Sequence, residues 1–284
     1  MLPLDAVAQH HRVVALIRPV WPGHWLRRFV RSALSQSGLF AQSELVKWAK
    51  RNDVPLILAA SGSDPEVISR LRILAPDIIC VSAFPWLLGS GMLRSASQAR
   101  INVHPSLLPR HRGPNPLFWL YYHSDHYAGV TVHLMNERAD AGDILAQESF
   151  DLPRGFPVDR LYRKNAVLGA WLLVQVLREL EAGKAKPVAQ REPLATYAPR
   201  VARGTPMVNF QEWDVERVWH FLAGLCARRR EPLQDITGKQ VSYRSVLGYT
   251  PGDCLRPAGT VQRTSFGWNL HCRDGSVQLA ERER

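Results

Sequence analysis

The sequence predicts an α/β fold in which a parallel sheet carries helices on both faces, followed by a smaller β-rich domain. Between residues 42 and 82, short apolar runs with strand character alternate with helical segments, a pattern typical of parallel sheets. A long helix with an apolar stripe is predicted at 157–182, and strand signals dominate after residue 240. With 284 residues, the chain is long enough for one large or two modest domains.

The individual elements follow from hydrophobic periodicity and from capping and turn residues. In chain order we predict a helix at 4–10, a strand at 13–17, a helix at 42–51, a strand at 55–59, a helix at 65–74, a strand at 77–82, a helix at 115–124, a strand at 129–135 and the helix at 157–182. We place a first domain at 1–183, a linker at 184–206 and a second domain at 207–284. In the second domain a helix at 214–230, with Asp214 as its cap, precedes short strands that fit a small β-barrel.

The composition is that of an ordinary soluble globular protein, with 46% hydrophobic and 21% charged residues. No apolar run is long enough to span a bilayer, and the N-terminus lacks a signal-peptide pattern. We therefore expect a cytoplasmic protein without a membrane partner. The cysteines are widely scattered and form no C-x-x-C pair, and the histidines show no metal-ligand spacing, so we predict no metal site.

The net charge of +11 predicts attraction to a polyanion, for which transfer RNA is a natural candidate. A basic enzyme from an arginine-rich proteome, with no nucleic-acid role, would show the same charge. The segment 18–32 mixes aromatic residues with arginines. That mixture fits contact with nucleic acid or lipid headgroups, and it fits equally an amphipathic helix packed on the sheet.

Two polar side chains share one face at the end of a short predicted strand. Ile101 and Val103 alternate with Asn102 and His104, and Pro105 ends the strand. Open α/β sheets place their ligands at such carboxyl ends. An amide there can donate to an oxygen that gains negative charge, and an imidazole can move a proton near neutral pH. The alternative is that both are buried residues that only satisfy backbone groups.

A second polar segment supplies a carboxylate that could orient His104. The strand at 129–135 is followed by a polar turn at 136–143 and then by a new apolar run. A carboxylate hydrogen-bonded to an imidazole holds its orientation and raises its basicity. On composition alone, Asp140 and Asp143 are both candidates for this role.

These segments resemble the folate-dependent formyltransferases, especially the methionyl-tRNA formyltransferases and their aminosugar and glycinamide-ribonucleotide relatives. The resemblance rests on N-V-H-P-S-L-L-P at 102–109, R-G at 112–113, and G-V-T-V-H-x6-D-A-G-D at 129–143. It implies a Rossmann-like N-terminal sheet, an open C-terminal barrel of OB-like form, and the catalytic residues Asn102, His104 and Asp140 rather than Asp143. The family normally begins with an earlier strand, so the sheet starts one strand short or the start codon is assigned late.

The same resemblance implies 10-formyltetrahydrofolate as the co-substrate. It places the pterin ring against backbone and apolar side chains of the loop at 84–88. It also assigns the loop that follows His104 to the folate site. The implied folate-binding residues are Phe84, Trp86, Leu87, Leu88, Ser106, Leu107, Leu108 and Pro109. A flat heterocycle in an apolar slot is a common small-ligand arrangement. Some of these side chains are alternatively core residues.

The amine acceptor remains open between two classes. The basic charge, the two-domain outline and the A-T-Y-A-P linker at 195–199 favour methionyl-tRNA, so that initiator tRNA is a candidate partner. The family's usual P-W-P-G turn is replaced by C-A-R-R-R-E-P at 226–232, which favours an amino sugar nucleotide or another small amine. Competing functions are a hydrolase with Ser106 as nucleophile, hydrolysis of formyl-folate, and an inactive nucleic-acid-binding relative.

Overall fold

The computed structural model describes residues 3–20, 44–202, 204–226, 232–253, 256–265 and 267–281. The chain forms two compact units, each assembled from separated stretches. The first contains Met1–His104, Thr131–Gln147 and Gly169–Arg191, and the second contains Pro105–Val130, Glu148–Leu168 and Glu192–Arg284. The predicted domain limits at 183 and 206 stay a prediction. The aromatic and arginine residues at 21–32 lie outside the described residues.

The order of elements confirms the predicted alternation of helices and strands. Up to residue 104 the elements are α1 (Pro3–Ala8), β1 (Leu16–Pro19), α2 (Glu44–Arg51), β2 (Leu56–Ala59), α3 (Pro65–Leu74), β3 (Ile78–Ser82), α4 (Ser90–Leu93) and β4 (Ala99–His104). They continue with α5 (Pro116–Tyr122), β5 (Tyr127–Leu134), β6 (Ile144–Asp151), α6 (Val158–Glu181), a 3-10 turn (Glu192–Leu194) and α7 (Val215–Leu225). Most predicted bounds agree within about two residues, and the first strand begins three residues later than predicted.

Helix α3 shows why several bounds could be predicted closely. The side chain of Asp64 accepts a hydrogen bond from the backbone N–H of Glu66, and Pro65 occupies the first helical position. At the other end Ala75 adopts a left-handed conformation, and its N–H donates to the carbonyl of Leu71. Both ends are therefore set by local sequence. The buried side of α3, with Val67 and Leu71, packs into the core of the first unit.

The strands of the N-terminal half form a two-stranded sheet, β1-β2, and a four-stranded sheet, β3-β4-β5-β6. β1 pairs with β2 in parallel, and β3 pairs with β4 in parallel. β4 pairs with β5 in the antiparallel sense, within the order β3-β4-β5-β6. The direction of β5 was not part of the prediction, because an apolar alternation defines a strand without defining its direction. The α/β class and the parallel pairs are as predicted.

The second unit combines α5 and α7 with the C-terminal strands. These are β7 (Leu233–Gln234), β8 (Gln240–Val241), β9 (Tyr243–Pro251), β10 (Val261–Thr264), β11 (Gly267–Cys272) and β12 (Gly275–Glu281). The last four form an antiparallel sheet in the order β10-β11-β12-β9, and β7 pairs with β8. The side chain of Asp214 caps α7 by accepting from the N–H of Arg217 at 2.7 Å, as predicted. The closed or OB-like form of this region stays a prediction.

The core of the second unit is rich in aromatic residues. Phe118 and Tyr121 of α5 pack with Trp213 and with Phe221 of α7, and the rings of Phe118 and Phe221 meet edge to face at 5.5 Å. Such pairs contribute about 0.5–1.5 kcal/mol beyond the area they bury. Helix α5 is thereby a core helix. Within the described ranges, no helix is long and apolar enough to cross a membrane.

Candidate active site

The end of β4 brings Asn102 and His104 to one face of the sheet, beside two polar residues of β5. In the antiparallel register Asn102 lies opposite His133, and His104 lies opposite Thr131. Directly opposed residues of an antiparallel pair place their side chains on the same face. His104 is only 4% exposed. The polar face predicted from β4 alone therefore extends across two strands.

The carboxylate of Asp140 joins this group from the turn between β5 and β6. Its Oδ1 atom lies 3.1 Å from Nδ2 of Asn102, and its Oδ2 atom lies 3.6 Å from Nδ1 of His104. The first distance is a hydrogen bond and the second is slightly longer than one. Catalytic hydrogen bonds are often long before substrate binds and shorten in the reacting complex. The structure thus brings together all three residues predicted as catalytic.

The other candidate carboxylate occupies a different place in the same turn. Asp143 is exposed, and its backbone carbonyl accepts a hydrogen bond from the N–H of Leu134. Asp140 is instead partly buried, with a side-chain exposure of 16%. The arrangement therefore agrees with the choice of Asp140 over Asp143 that the resemblance implied.

His133 fixes the orientation of the Asn102 amide. Its Nδ1 atom lies 2.7 Å from the carbonyl oxygen of Leu134, which can only accept, so Nδ1 carries a hydrogen. In the tautomer with the hydrogen on Nδ1, Nε2 accepts from Nδ2 of Asn102 at 3.2 Å, and the same Nε2 lies 3.5 Å from Oδ1 of Asp140. The two N–H groups of Asn102 thus point at His133 and at Asp140. The sequence pattern does not indicate this contact, which depends on the register of β4 against β5.

A second residue that the prediction missed supports the turn itself. Gln190, in the segment after α6, donates from Nε2 to the backbone carbonyls of Asp140 at 2.8 Å and of Gly142 at 2.7 Å. The sequence places it 50 residues from Asp140, within a segment that reads as a polar connector. No periodicity or motif considered in the prediction pointed to it.

The predicted pterin loop lies after β3 in the first unit. The rings of Phe84 and Trp86 meet edge to face at 5.5 Å, Leu87 is 61% exposed, and Leu88 is buried in the core. The loop lies against the turn that follows β2, because a Cβ on Gly62 would be 1.8 Å from the carbonyl oxygen of Leu87. Leu88 therefore fits the core alternative, while the other three side chains are at least partly accessible.

The remaining predicted folate residues lie directly after His104 in the chain and belong to the second unit. The hydroxyl of Ser106 donates to the carbonyl of Arg110 at 2.8 Å and closes a tight loop. Leu108 is buried, and the Leu108–Pro109 peptide bond is cis. Leu107 packs on β5 at Gly129, where a Cβ would be 2.4 Å from its methyl carbon. Pro109 accepts through its carbonyl from the N–H of Thr196 at 3.2 Å.

The A-T-Y-A-P linker pairs with the chain just after this loop, within the second unit. Arg112 and Tyr197 form a parallel bridge, in which the N–H of Arg112 donates to Thr196 and the N–H of Ala198 donates to Arg112. The guanidinium of Arg112 also contacts the carboxylate of Glu192 at 3.0 Å. The linker is therefore an ordered part of the fold at this point.

Hydrogen bonds to the carboxylate of Asp125 hold the loop at Arg110 and His111. Nε2 of His111 lies 2.7 Å from the carboxylate of Asp125, and Arg110 donates to both oxygens of the same carboxylate. Burial alone would raise the pKa of Asp125, but the hydrogen bonds from His111 and Arg110 outweigh it and hold the pKa below its ordinary value. Asp125 therefore remains ionised and anchors the loop.

Among the described residues, no three His, Cys, Asp or Glu side chains are arranged to hold a metal ion. A depression of about 420 Å³ in the second unit is lined by His126, Tyr127, Asp151, Leu152, Pro153 and Arg154. It includes none of the predicted site residues.

Comparison with curated proteins points to one family. A family model described as formyl transferase matches residues 37–177. The chain is 34% identical over 186 residues to a methionyl-tRNA formyltransferase of Clostridium acetobutylicum, covering 65% of this chain and 60% of that relative. It is 35% identical over 228 residues to a methionyl-tRNA formyltransferase of Syntrophus aciditrophicus, covering 80% of this chain and 72% of that relative. The chain thus spans about three fifths of the Clostridium protein.

Solved structures of low identity share the fold. HypX from Aquifex aeolicus, in complex with tetrahydrofolic acid, matches with a TM-score of 0.59 and 21% identity over 82% of this chain and 40% of its own. An N-formyltransferase from Helicobacter canadensis, in complex with folinic acid and dTDP-3-aminofucose, matches with a TM-score of 0.61 and 12% identity over 98% of this chain and 94% of its own. The matches to the formyl transferase family model and to the Syntrophus relative show that the chain belongs to the folate-dependent formyltransferase family and is similar to its methionyl-tRNA formyltransferases.

Proposed function

We propose that this chain transfers a formyl group from 10-formyltetrahydrofolate to a primary amine, and that the acceptor is the amino group of methionyl-tRNA. The observation that carries the proposal is the convergence of Asn102, His104 and Asp140 within one unit of the fold. Asp140 lies 3.1 Å from the Asn102 amide and 3.6 Å from the His104 imidazole. Family membership supports the reaction class, and this geometry supports the choice of residues.

The reaction joins the amine nitrogen to the formyl carbon and breaks the bond from that carbon to N10 of the folate. The amine loses a proton and N10 takes one up, so atoms and charges balance. As the amine attacks, the formyl oxygen gains negative charge. Asn102 and a protonated His104 stabilise this oxyanion by donating hydrogen bonds to it. Asp140 keeps His104 charged and aligned and helps to remove the amine proton.

The two N–H groups of Asn102 require a rearrangement in this mechanism. Both point at protein acceptors, Asp140 Oδ1 and His133 Nε2. We expect the formyl oxygen to take the N–H that Asp140 accepts in the structure. The carboxylate is then released toward His104, and the 3.6 Å separation shortens to a hydrogen bond. Oxygen binding and imidazole activation are thereby coupled through one carboxylate.

The loop after β3 fits the proposed folate co-substrate. Trp86 is partly accessible and Leu87 is 61% exposed, so the loop presents apolar surface of the kind that a flat heterocycle packs against. When bound, the folate supplies the activated formyl group. The chain's own residues orient that group, exclude water around the buried His104, and move the proton.

Four observations bear on the choice between the two candidate acceptors. Methionyl-tRNA is favoured by the relatives at 34% and 35% identity and by the net charge of +11. An amino sugar nucleotide is the second candidate, because the Helicobacter N-formyltransferase, whose complex contains dTDP-3-aminofucose, aligns over 98% of this chain. The segment at 226–232, which lacks the P-W-P-G turn, also favours it. Arginines 228–230, which could contact phosphates, lie outside the described residues.

The test of this proposal is a product assay with both acceptors. The protein is incubated with 10-formyltetrahydrofolate and either charged initiator tRNA or a panel of amino sugar nucleotides, and the product is identified by mass. A gain of one formyl group on methionine supports the main proposal, and a formylated sugar nucleotide supports the second. Tetrahydrofolate release without any formylated acceptor would instead indicate hydrolysis of the folate. No turnover with tight tRNA binding would indicate an inactive relative.

The serine-hydrolase alternative is disfavoured by a contact of Ser106. Its hydroxyl donates to the carbonyl of Arg110 at 2.8 Å, within the second unit. A nucleophilic serine instead needs its hydroxyl hydrogen directed at a base. We therefore expect Ser106→Ala to disturb the loop but to retain formyl transfer. Loss of a nucleophile would instead abolish the activity.

A further inference from the structure

We propose that Gln190 is a positioning residue for Asp140, an inference that rests on the proposed formyl transfer and adds a member to its machinery. The side-chain Nε2 atom of Gln190 lies 2.8 Å from the carbonyl oxygen of Asp140 and 2.7 Å from that of Gly142. An amide nitrogen carries two hydrogens and a carbonyl oxygen only accepts, so one N–H is directed to each. One side chain therefore joins two points of the turn that carries the carboxylate.

The turn needs such support because its backbone is unusual at two residues. Asp140 has a φ of +49°, in the left-handed region that residues with a side chain rarely adopt. Gly142 lies so close to the end of β5 that a Cβ there would be 1.9 Å from the carbonyl oxygen of Leu134. Conformations of this kind persist only where surrounding contacts determine them. Gln190 supplies two of those contacts.

The segment that carries Gln190 is itself fixed to the sheet. Val188 and Ile144 exchange two backbone hydrogen bonds, each 2.8 Å long. Ile144 is the first residue of β6, which directly follows the turn. The chain between Val188 and Gln190 is therefore anchored to the same strand that the turn leads into. This anchoring sets where the Gln190 amide can reach.

The effect on chemistry follows from the small distances around the carboxylate. Asp140 reaches Asn102 at 3.1 Å and His104 at 3.6 Å, so a displacement of about 1 Å would remove one contact. Misplacement on that scale can lower a rate by about 10²-fold. The two hydrogen bonds from Nε2 of Gln190 go to backbone carbonyls of the turn that carries Asp140. Gln190 therefore acts through Asp140.

The first test compares Gln190→Met with Gln175→Met. Methionine matches glutamine in length and lacks the donors, and Gln175 is an exposed residue on α6. In the formyl-transfer assay with the accepted amine, we expect Gln190→Met to lower kcat by about 10- to 100-fold while the KM for formyl-folate changes little. Gln175→Met should retain the wild-type kcat. A folded Gln190→Met enzyme with wild-type kcat would overturn the inference.

A second variant separates donation from packing. Gln190→Glu keeps the length and polarity but presents carboxylate oxygens to two carbonyl oxygens. We expect its kcat at neutral pH to be lower than that of Gln190→Met, because the contact becomes repulsive. If Gln190 only fills space, the two variants will show equal kcat, and the inference fails. This comparison remains decisive if the methionine variant folds poorly, since wild-type activity in Gln190→Glu would also overturn it.

The third test asks whether Gln190 acts through Asp140. In a double-mutant cycle, Gln190→Met is added to an Asp140→Asn enzyme, and kcat is compared with that of Asp140→Asn alone. We expect little further loss, and a further loss as large as in the wild-type background would overturn the inference. If the wild-type protein transfers no formyl group to any amine, the proposed function and this inference are both overturned. An impaired Asp140→Asn with an unimpaired Gln190→Met would overturn only the inference.

Discussion

At the scale of single residues, the Asn102 amide holds the candidate site together. Its nitrogen lies 3.1 Å from Asp140 Oδ1 and 3.2 Å from His133 Nε2. The same group is proposed to donate to the oxyanion. Asn102 and His104 could be predicted from sequence because two residues of one strand separated by a single position share a face. His133 could not, because its contact depends on the register between two strands.

Removing this amide tests its catalytic role. Asn102→Ala is expected to lower kcat by about 10²–10³-fold, the usual effect of losing one oxyanion donor. The measurement is the initial rate of formyl transfer at saturating folate. Asn52→Ala, at an exposed position just after α2, serves as the matched control and should retain the wild-type rate. A loss of tenfold or less in Asn102→Ala would contradict the assignment.

A buried histidine makes the stability of the second unit depend on pH. His220 is fully buried, and its Nδ1 accepts from the N–H of Gly155 at 2.9 Å. Burial, followed by the nearby charge of Arg154, lowers the pKa of His220 to about 3. In the unfolded chain the same group titrates near its ordinary value of about 6.5. Between these values the unfolded state binds a proton that the folded state does not, so stability falls as the pH decreases.

This linkage is tested with His220→Asn, whose side-chain oxygen can still accept from Gly155. A single such group gives a slope of at most about 1.4 kcal/mol per pH unit in the free energy of unfolding between about pH 6 and pH 4. We expect denaturant titrations to show a slope for the wild type that is steeper than the slope for the variant. Equal slopes in the wild type and the variant would show that proton uptake by His220 on unfolding does not cause the pH dependence.

At the scale of elements, the turn between β5 and β6 determines where the carboxylate lies. The sequence predicted a strand, a polar turn and a further apolar run here, and the structure has β5, the turn and β6 in those places. The antiparallel direction of β5 and the support from Gln190 could not be predicted, because both depend on contacts between distant parts of the chain. Helix limits such as those of α3 were predictable, since caps are local.

The close approach of the turn to β5 predicts a specific effect of one methyl group. Gly142→Ala places a Cβ 1.9 Å from the carbonyl oxygen of Leu134, so the turn must move. We expect a loss of about 1–3 kcal/mol in the free energy of unfolding and a fall of about 10²-fold in kcat. Gly248→Ala is the control, because no atom lies within 4 Å of its added Cβ. Equal behaviour of the two variants would contradict the account of the turn.

At the scale of the whole molecule, charge bears on the choice of acceptor. The formal net charge of +11 is a property of the sequence and was available without a structure. The sequence could not tell what this charge binds, because net charge alone indicates only a general attraction to anions. A tRNA acceptor buries phosphates that release counterions on binding, whereas a sugar nucleotide offers only a diphosphate. Salt dependence therefore separates the two acceptors.

We expect binding of initiator tRNA to weaken strongly with salt. Contact with about four phosphates predicts a loss of about two orders of magnitude in affinity between about 50 mM and about 200 mM salt. Fluorescence anisotropy with labelled tRNA measures this slope. An amino sugar nucleotide titrated over the same range is the comparison and should change far less. A flat tRNA curve would count against methionyl-tRNA as the acceptor.

The most direct test of the central claim is the single-turnover rate of formyl transfer in Asp140→Asn. The substitution preserves size and removes the charge that is proposed to hold His104 protonated and aligned. The account predicts a rate at least about 10²-fold below wild type, with folate binding retained in a separate titration. A rate within about threefold of wild type would show that Asn102, His104 and Asp140 do not form the catalytic group.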